Sequence, residues 1–106
     1  MERVNLNEME ARELVAGFKG RFVHSQNMTF AFWEIEAGSS LPAHAHPHEQ
    51  VVNILDGQMK FTLDGETQVL KTGDVVVVPP DLEHSGETVT ACRVLDVFHP
   101  VREDYR

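Results

Sequence analysis

The fold of this chain is decided by residues 50–81, QVVNILDGQMKFTLDGETQVLKTGDVVVVPPD, where short apolar runs alternate with turn residues. Val, Ile, Phe and Thr at alternating positions predict strands, and each run ends at Gly, Asp or Pro. Two Asp-Gly dipeptides, at 56–57 and 64–65, each separate two such runs. Asp-Gly favours the tight turn of a β-hairpin because both residues tolerate positive φ. The sequence therefore predicts a meander of antiparallel strands across 50–71.

Further strand patterns lie in and around this stretch. NMTFAFWEIEAG (27–38) and ACRVLDVFHP (91–100) are rich in β-branched and aromatic residues and end at Gly or Pro. Val75–Val78, ended by two prolines, is continuously apolar, which predicts a strand buried on both faces. This succession of short strands predicts an all-β fold, either a small sandwich or a barrel.

The length of 106 residues suits one domain and is too short for two, since domains usually contain about 100–150 residues. Hydrophobic residues make up 42% and charged residues 25%, which excludes a disordered or collagen-like chain. The N-terminal residues have a weak apolar pattern and predict an arm with one turn of helix. We therefore expect a single domain over 1–106, with the arm at 1–20 and the barrel at 21–106.

Acidic residues outnumber basic ones by seventeen to nine, and the formal net charge is −8. This charge has the wrong sign for binding nucleic-acid phosphates or anionic lipid headgroups, so neither nucleic acid nor a membrane is an expected partner. The first twenty residues contain no apolar leader core, and no apolar run reaches the roughly 18 residues of a membrane span, which predicts a cytoplasmic protein. The single cysteine, Cys92, excludes an intrachain disulfide and a cysteine-rich zinc site.

Three of the six histidines, His44, His46 and His48, lie within LPAHAHPHEQ (41–50). Residues two apart on a strand point to the same face about 6.6 Å apart, so the His44 and His46 rings can converge on one point. Imidazole is the commonest metal ligand in proteins, and His84, further along the chain, is another candidate. A lone His-x-His pair is more often two polar side chains on an exposed strand, so the pattern alone leaves both interpretations open.

The two segments that carry these histidines resemble the two signature motifs of the cupin family. GSSLPAHAHPHEQVVNILDG (38–57) and GDVVVVPPDLEH (73–84) follow the spacing of those motifs, and Gln50 stands where the first commonly has Glu. In the second motif, Asp81 and Thr88 stand where Gly and Asn are common. The resemblance implies a jelly-roll-like barrel, the double-stranded β-helix. It also implies one divalent metal ion, held by His44, His46, Gln50 and His84.

Gln50 gives this ligand set a particular chemistry. A carboxylate cancels one unit of the metal's charge, whereas an amide oxygen leaves the full charge of a divalent ion to act on an anionic substrate. Neutral imidazole and amide ligands suit Ni, Zn, Mn or Fe, and the sequence does not choose among them. Strand alternation points Gln50 inward and Glu49 outward, while His48 shares the inward direction and stays a competing ligand.

The last strand places Asp96 on the same face as Val94 and Phe98. An acid among apolar neighbours is unfavourable unless it has a partner, so Asp96 indicates either a buried ion pair or a functional site. Arg93 and Arg102 are the candidate partners for an ion pair. The position alone leaves the two interpretations open.

Two segments resemble a more specific group, the KdgF-type cupins of pectin degradation. They are LDVFHPVREDYR (95–106) and HAHPHEQ (44–50). KdgF-type proteins open the ring of 4,5-unsaturated uronates, which lyases release from pectin or alginate, and give linear 4-deoxy-5-keto sugar acids. The resemblance implies a metal-dependent isomerase or lyase-like enzyme. In it Asp96 moves the proton, Arg102 binds the substrate carboxylate and Phe98 packs against the sugar ring.

Two other functions fit the same motifs. A cupin dioxygenase would use an open iron or manganese site with oxygen, and a non-catalytic cupin would bind a sugar or a metal without turnover. The ring-opening interpretation requires a small anionic sugar acid as the partner. Resemblance to small cupins also implies a homodimer that pairs through edge strands.

Overall fold

The computed structural model describes residues 1–106 and consists mainly of antiparallel strands. Two short 3₁₀ turns, Leu6–Glu8 and Glu103–Tyr105, lie near the two ends of the chain. The ten strands are β1 (Arg12–Val15), β2 (Phe18–His24), β3 (Thr29–Ile35), β4 (Ser40–His44), β5 (Glu49–Asp56), β6 (Gln58–Leu63), β7 (Glu66–Lys71), β8 (Val75–Val78), β9 (His84–Thr88) and β10 (Cys92–His99).

The strands form two sheets. The six-stranded sheet has the order β1-β2-β3-β10-β5-β8, and the four-stranded sheet has the order β4-β9-β6-β7. Strands that are distant in sequence lie side by side, as β10 does between β3 and β5, which is typical of a jelly-roll barrel. The all-β prediction is confirmed. No helix in the structure is long enough and apolar enough to cross a membrane.

One apolar cluster fills the barrel. Buried and less buried residues alternate along the strands that enclose it, as expected when one face of a strand points to the core. Along β3, Thr29, Ala31, Trp33 and Ile35 are buried, and the residues between them are not. Trp33 packs edge-to-face against Phe22, with ring centroids 5.3 Å apart. This packing joins the inner faces of β2 and β3, and Trp33 also reaches across to Asp96 on the neighbouring strand β10.

The two Asp-Gly dipeptides have different roles. Asp64-Gly65 closes the hairpin between β6 and β7 with φ angles of 48° and 83°, so the hairpin prediction is confirmed there. It is wrong for Asp56-Gly57, because β5 and β6 belong to different sheets and this dipeptide carries the chain across. A Cβ at Gly57, where φ is 103°, would lie 2.4 Å from the Ala91 carbonyl oxygen, so the crossing requires glycine.

Two further predictions are corrected. Val75–Val78 forms an edge strand, and Val75 and Val77 are 60% and 58% exposed, so this strand is not buried on both faces. An apolar run does not by itself reveal what covers its outer face. The barrel was predicted to begin at residue 21, but the β-structure begins at Arg12. The sequence pattern missed β1 because all four of its residues are exposed and give no alternating signal. The predicted helical turn is the 3₁₀ turn Leu6–Glu8.

Candidate metal centre and the cavity beside it

Three of the predicted ligands, His44, His46 and His84, come together in space. His44 ends β4, His84 begins β9, and the two are direct partners in the pairing of these strands. His46 lies in the loop before β5, so only the first histidine of the His-x-His pair is on a strand. One nitrogen from each ring lies within 4.8 Å of the others. Ring nitrogens this close together form a candidate site for one metal ion, since imidazole binds metals at about 2.1 Å.

The three imidazoles are oriented in the same way. Because a carbonyl oxygen only accepts, an Nδ1 that is bonded to one carries the proton, and Nε2 then keeps the lone pair that binds a metal. Nε2 of His84 is buried without a hydrogen-bond partner, as expected of a ligand atom. The Nδ1 bonds join His44 to the Pro42 carbonyl at 2.9 Å, His46 to the His48 carbonyl at 3.0 Å and His84 to the Leu82 carbonyl at 2.9 Å.

Gln50, the fourth predicted ligand, is buried on the inner face of β5. Its Oε1 lies 3.0 Å from Nε2 of His46. Because Nδ1 of His46 already donates to a carbonyl, both of these facing atoms offer lone pairs, and a cation between them would satisfy both. The neutral N/O donor set and the unpartnered Nε2 of His84 therefore fit a divalent metal ion.

Burial favours the neutral, metal-binding form of these histidines. Desolvation lowers the pKa of His84 to about 4 and also lowers the pKa of His46, and the charge of Arg102 acts in the same direction on both. Neutral imidazole is the form that binds metals. The two rings are therefore available to a metal at neutral pH without losing a proton.

His48, the competing candidate, lies outside the group of converging nitrogens. Its ring centroid is 5.5 Å from that of His46, and its backbone carbonyl accepts the Nδ1 hydrogen bond of His46. Glu49 is exposed, as strand alternation predicts. The structure thus gives His48 a supporting position beside the metal centre.

A cavity of about 140 Å³ lies beside the histidines. Its lining includes six of the seven residues predicted for the site, and the seventh, His46, contacts Gln50 of that lining. The remaining wall is largely apolar. The predicted residues in the lining are His44, Gln50, His84, Asp96, Phe98 and Arg102, and the apolar wall includes Phe18, Ile35, Leu41, Val52, Met59, Phe61 and Val94.

Asp96 lines this cavity from the inner face of β10 and forms no ion pair with Arg93 or Arg102. Its Oδ2 accepts a hydrogen bond from Nε1 of Trp33 at 3.1 Å, whereas Oδ1 is buried without a partner. Burial raises the pKa of Asp96 to about 6, and the neighbouring Gln50 side chain opposes the rise without satisfying Oδ1. A carboxyl group that titrates near neutrality can both accept and donate a proton.

Arg102 reaches the cavity from the segment that follows β10. Its guanidinium forms a two-bond pair with the exposed carboxylate of Asp104, at 2.9 Å from Nε and 2.7 Å from Nη2. The same group lies 4.8 Å from the ring centroid of Phe98 and 4.2 Å from that of Tyr105. The backbone N–H of Arg102 donates to Oγ1 of Thr29 at 2.8 Å, which anchors the segment to β3.

Three of these residues, Trp33, Thr29 and Tyr105, were not predicted from the sequence. The alternation of β3 was the available signal for Trp33 and Thr29, since it directs both side chains inward. Their partners are 63 and 73 residues away, so the contacts themselves depend on the fold. Tyr105 lies in the segment 95–106 that resembles KdgF-type cupins, but no role was predicted for it. Its ring lines the cavity and packs 5.7 Å from that of Phe98.

The family model of the cupin domain matches residues 31–98. This chain is a cupin. It is 26% identical over 102 residues to the pectin degradation protein KdgF of Dickeya dadantii, and the match covers 93% of each chain. It is 40% identical over 50 residues to quercetin 2,3-dioxygenase of Bacillus subtilis, where the match covers 45% of this cupin but 14% of the dioxygenase.

A solved structure, KdgF from Halomonas sp., superposes on this cupin with a TM-score of 0.90. The superposition covers 94% of each chain at 23% sequence identity. At this identity the likeness shows a shared fold and no more. The cupin barrel expected from the sequence is therefore confirmed.

Proposed function

We propose that this cupin is an enzyme that opens the ring of 4,5-unsaturated uronates and gives linear 4-deoxy-5-keto uronates. One observation carries the proposal: a carboxyl group that titrates near neutrality, a guanidinium and a set of metal-binding histidines border the same cavity. Similarity to a pectin degradation protein over nearly the full chain supports it. The substrate would come from pectin or alginate. The cytoplasmic location of the protein stays a prediction.

His44, His46, Gln50 and His84 would hold one divalent ion, with Ni, Zn, Mn and Fe as the candidates. Such an ion supplies a Lewis acid that stabilises negative charge developing on substrate oxygens. All four ligands are neutral, so they leave the full charge of the ion available to an anionic substrate.

Arg102 is suited to bind the substrate carboxylate. Asp104 engages Nε and Nη2 only, so the Nη1 hydrogens are left to donate to a ligand. Contacts with the rings of Phe98 and Tyr105 hold the guanidinium plane in place. Phe98 also offers an apolar ring to the planar C4=C5 part of the sugar.

Asp96 is suited to carry the proton that the reaction moves. Its carboxylate accepts the proton of the hydroxyl on C1, the C1–O5 bond breaks, and C1 becomes an aldehyde. The electron pair of that bond stays on O5, which leaves an enolate across O5, C5 and C4. The protonated Asp96 then delivers its proton to C4, and C5 becomes the ketone. The net change moves one proton from oxygen to carbon and requires no oxidant.

The apolar wall of the cavity favours a second candidate function, an oxidative cupin acting on an aromatic substrate. A planar apolar ring would bury well against such a wall. The short match to a quercetin dioxygenase supports this alternative. It gives no role to a carboxyl group poised to donate and accept protons, and we therefore rank it second.

The experiment follows a 4,5-unsaturated uronate with the metal-loaded protein in a cell fitted with an oxygen electrode. The proposal predicts loss of the ultraviolet absorbance of the conjugated C4=C5 bond without oxygen consumption. Oxygen uptake with an aromatic substrate, and none of this absorbance loss, would instead support the oxidative alternative. Binding of the uronate without any absorbance change would identify a non-catalytic sugar-binding cupin.

A further inference from the structure

The cavity beside the histidines has a polar end. Phe98, Asp96 and Val94 follow one another along the inner face of β10, and all three line the cavity. The ring centroid of Phe98 lies 5.7 Å from that of His46 and 4.8 Å from Cζ of Arg102. The candidate metal centre and the guanidinium therefore lie at the Phe98 end of the cavity, and Asp96 comes one step further in.

Beyond Asp96 the wall of the cavity is apolar. Val94 is the next inward residue of β10, and its partner on β3 is Trp33, which Ile35 follows on the same face. All three line the cavity. The only polar atom of these side chains, Nε1 of Trp33, already donates to Asp96. These side chains therefore offer a ligand apolar contacts only, and the proposed ring opening assigns them no role.

The four-stranded sheet shows the same change from polar to apolar. His84 begins β9, and the next inward residue of that strand is Gly86, which pairs with Phe61 on β6. Gly86, Phe61 and the buried Met59 line the cavity. Because Gly86 has no side chain, the space in front of it is open, and the atom nearest to a Cβ there would be Sδ of Met59, at 3.4 Å. Both sheets thus lead from the candidate metal centre to hydrocarbon groups.

We propose that the site also exchanges the protons on C3 of 2-oxo acids that carry an apolar side chain. The groups of such an acid follow the order of the cavity, with the carboxylate and carbonyl at the polar end, C3 at Asp96 and the side chain at the apolar end. Arg102 would bind the carboxylate through its Nη1 hydrogens, which Asp104 leaves unused. Oδ1 of Asp96, buried without a partner, is the atom that takes the proton. The activity rests on the roles given to Asp96 and Arg102 in the proposed function.

The exchange requires one proton carrier and no oxidant. The carboxylate of Asp96 removes a proton from C3, the C3–H electron pair forms C2=C3, and the carbonyl π pair moves to oxygen, which gives an enolate. A metal ion held by the histidines supplies a Lewis acid for that oxygen. Asp96 exchanges its proton with water and returns one to C3, and the ketone forms again. The proposed ring opening ends in the same kind of step, because it puts a proton on C4 next to a ketone that carries a carboxylate.

The volume of the cavity limits the side chain of the acid. At about 140 Å³ the cavity is smaller than the roughly 300–1,000 Å³ typical of sites for drug-sized ligands. A branched aliphatic side chain, as in 4-methyl-2-oxopentanoate, suits this volume better than fused aromatic rings. Pyruvate has the same head group without that side chain and is the matched comparison.

The fluorescence of Trp33 measures binding to the chelator-treated protein, because this single tryptophan lines the cavity. The branched acid should bind at least about tenfold more tightly than pyruvate, since its side chain buries more apolar surface. Gly86→Ala places a methyl group in the apolar end, so it should weaken binding of the branched acid about tenfold and binding of pyruvate less than about twofold. Glu87→Ala, at an exposed position of the same strand, is the control and should change neither. Equal affinity of the wild type for the two acids, or equal weakening of both by Gly86→Ala, would overturn the proposal.

Proton NMR in D₂O measures the exchange itself with metal-loaded protein. The C3 signal of the branched acid should disappear at least about 100-fold faster with the wild type than with Asp96→Asn or with buffer, and without oxygen consumption. Equal rates in the wild type and Asp96→Asn, or loss of the acid with uptake of oxygen, would overturn the proposal. Ring opening of the uronate without this exchange would overturn this proposal alone. Exchange without ring opening would support it and refute the proposed function.

Discussion

Replacing Asp96 with Asn should stabilise the metal-free protein and inactivate the enzyme. Burial raises the pKa of this carboxyl group from 3.8 to about 6 in the folded chain, so the ionised form is unfavourable there. Above pH 6 the group is ionised in both the folded and the unfolded chain, and the folded chain carries the full cost. Below about pH 4 it is protonated in both, and the cost disappears.

The free energy of unfolding should therefore fall, on account of this group, as the pH rises from about 4 through 6. A shift of about two pKa units corresponds to a cost on the order of 2–3 kcal/mol, and the partial exposure of Asp96 reduces it. We expect Asp96→Asn to raise the melting temperature at pH 7.5 by several degrees, up to roughly 10 °C. At pH 4 the variant and the wild type should melt within about 2 °C of each other.

Asp96→Asn should lower the activity of the enzyme although it raises the melting temperature. Loss of the proton carrier should lower kcat by about 10²–10⁴ with metal content unchanged. The melting temperatures are measured on chelator-treated protein at pH 7.5 and pH 4. The metal-loaded protein is used to measure kcat and, by elemental analysis, metal content. The control is Asp56→Asn, because Asp56 is an exposed acid at the end of β5. It should leave the melting temperatures, kcat and metal content unchanged. Normal turnover by Asp96→Asn would show that Asp96 does not carry the proton. A lower melting temperature of the variant at pH 7.5 would show that the buried carboxylate does not destabilise the fold.

Three further predictions concern the metal and the anchoring of the C-terminal segment. His84→Ala should abolish stoichiometric metal binding in elemental analysis, whereas His24→Ala should retain it; equal metal content in both would remove the proposed centre. Arg102→Ala should raise KM at least about tenfold through loss of a charge-assisted contact, and Arg106→Ala, whose side chain pairs only with Glu103, should not. Thr29→Val removes the hydroxyl that accepts the hydrogen bond of the Arg102 backbone N–H, so it should raise KM more than it lowers kcat. An unchanged KM would show that this hydrogen bond does not position the guanidinium.

The histidines and Asp96 could be identified from the sequence because their signals are local. The spacing of His44, His46 and His84 follows the two cupin motifs, and an acid between Val94 and Phe98 stands out on a strand pattern. The tautomers of the histidines could not be predicted. They depend on backbone carbonyls such as that of Leu82, whose positions follow from the turns of the folded chain.

The errors in the fold arise where distant parts of the chain decide a local structure. The two Asp-Gly dipeptides have the same local chemistry, yet only the one at 64–65 closes a hairpin. At 56–57 the chain instead crosses between sheets, since β5 pairs with β10 and β8 in the larger sheet. In the same way, the apolar run of β8 could not reveal that its strand lies at a sheet edge with two valines facing outward.

The product formed in D₂O reports whether the protein opens the ring and protonates C4. Metal-loaded protein and a 4,5-unsaturated uronate are followed by proton NMR, with Asp96→Asn as the matched control. The exchangeable hydroxyl on C1 carries deuterium in D₂O, so the proposed mechanism gives a linear 5-keto acid with one deuterium at C4. This product should form far faster with the protein than in buffer alone. Conversion no faster than with Asp96→Asn or with buffer, or a product without deuterium at C4, would contradict the proposed mechanism.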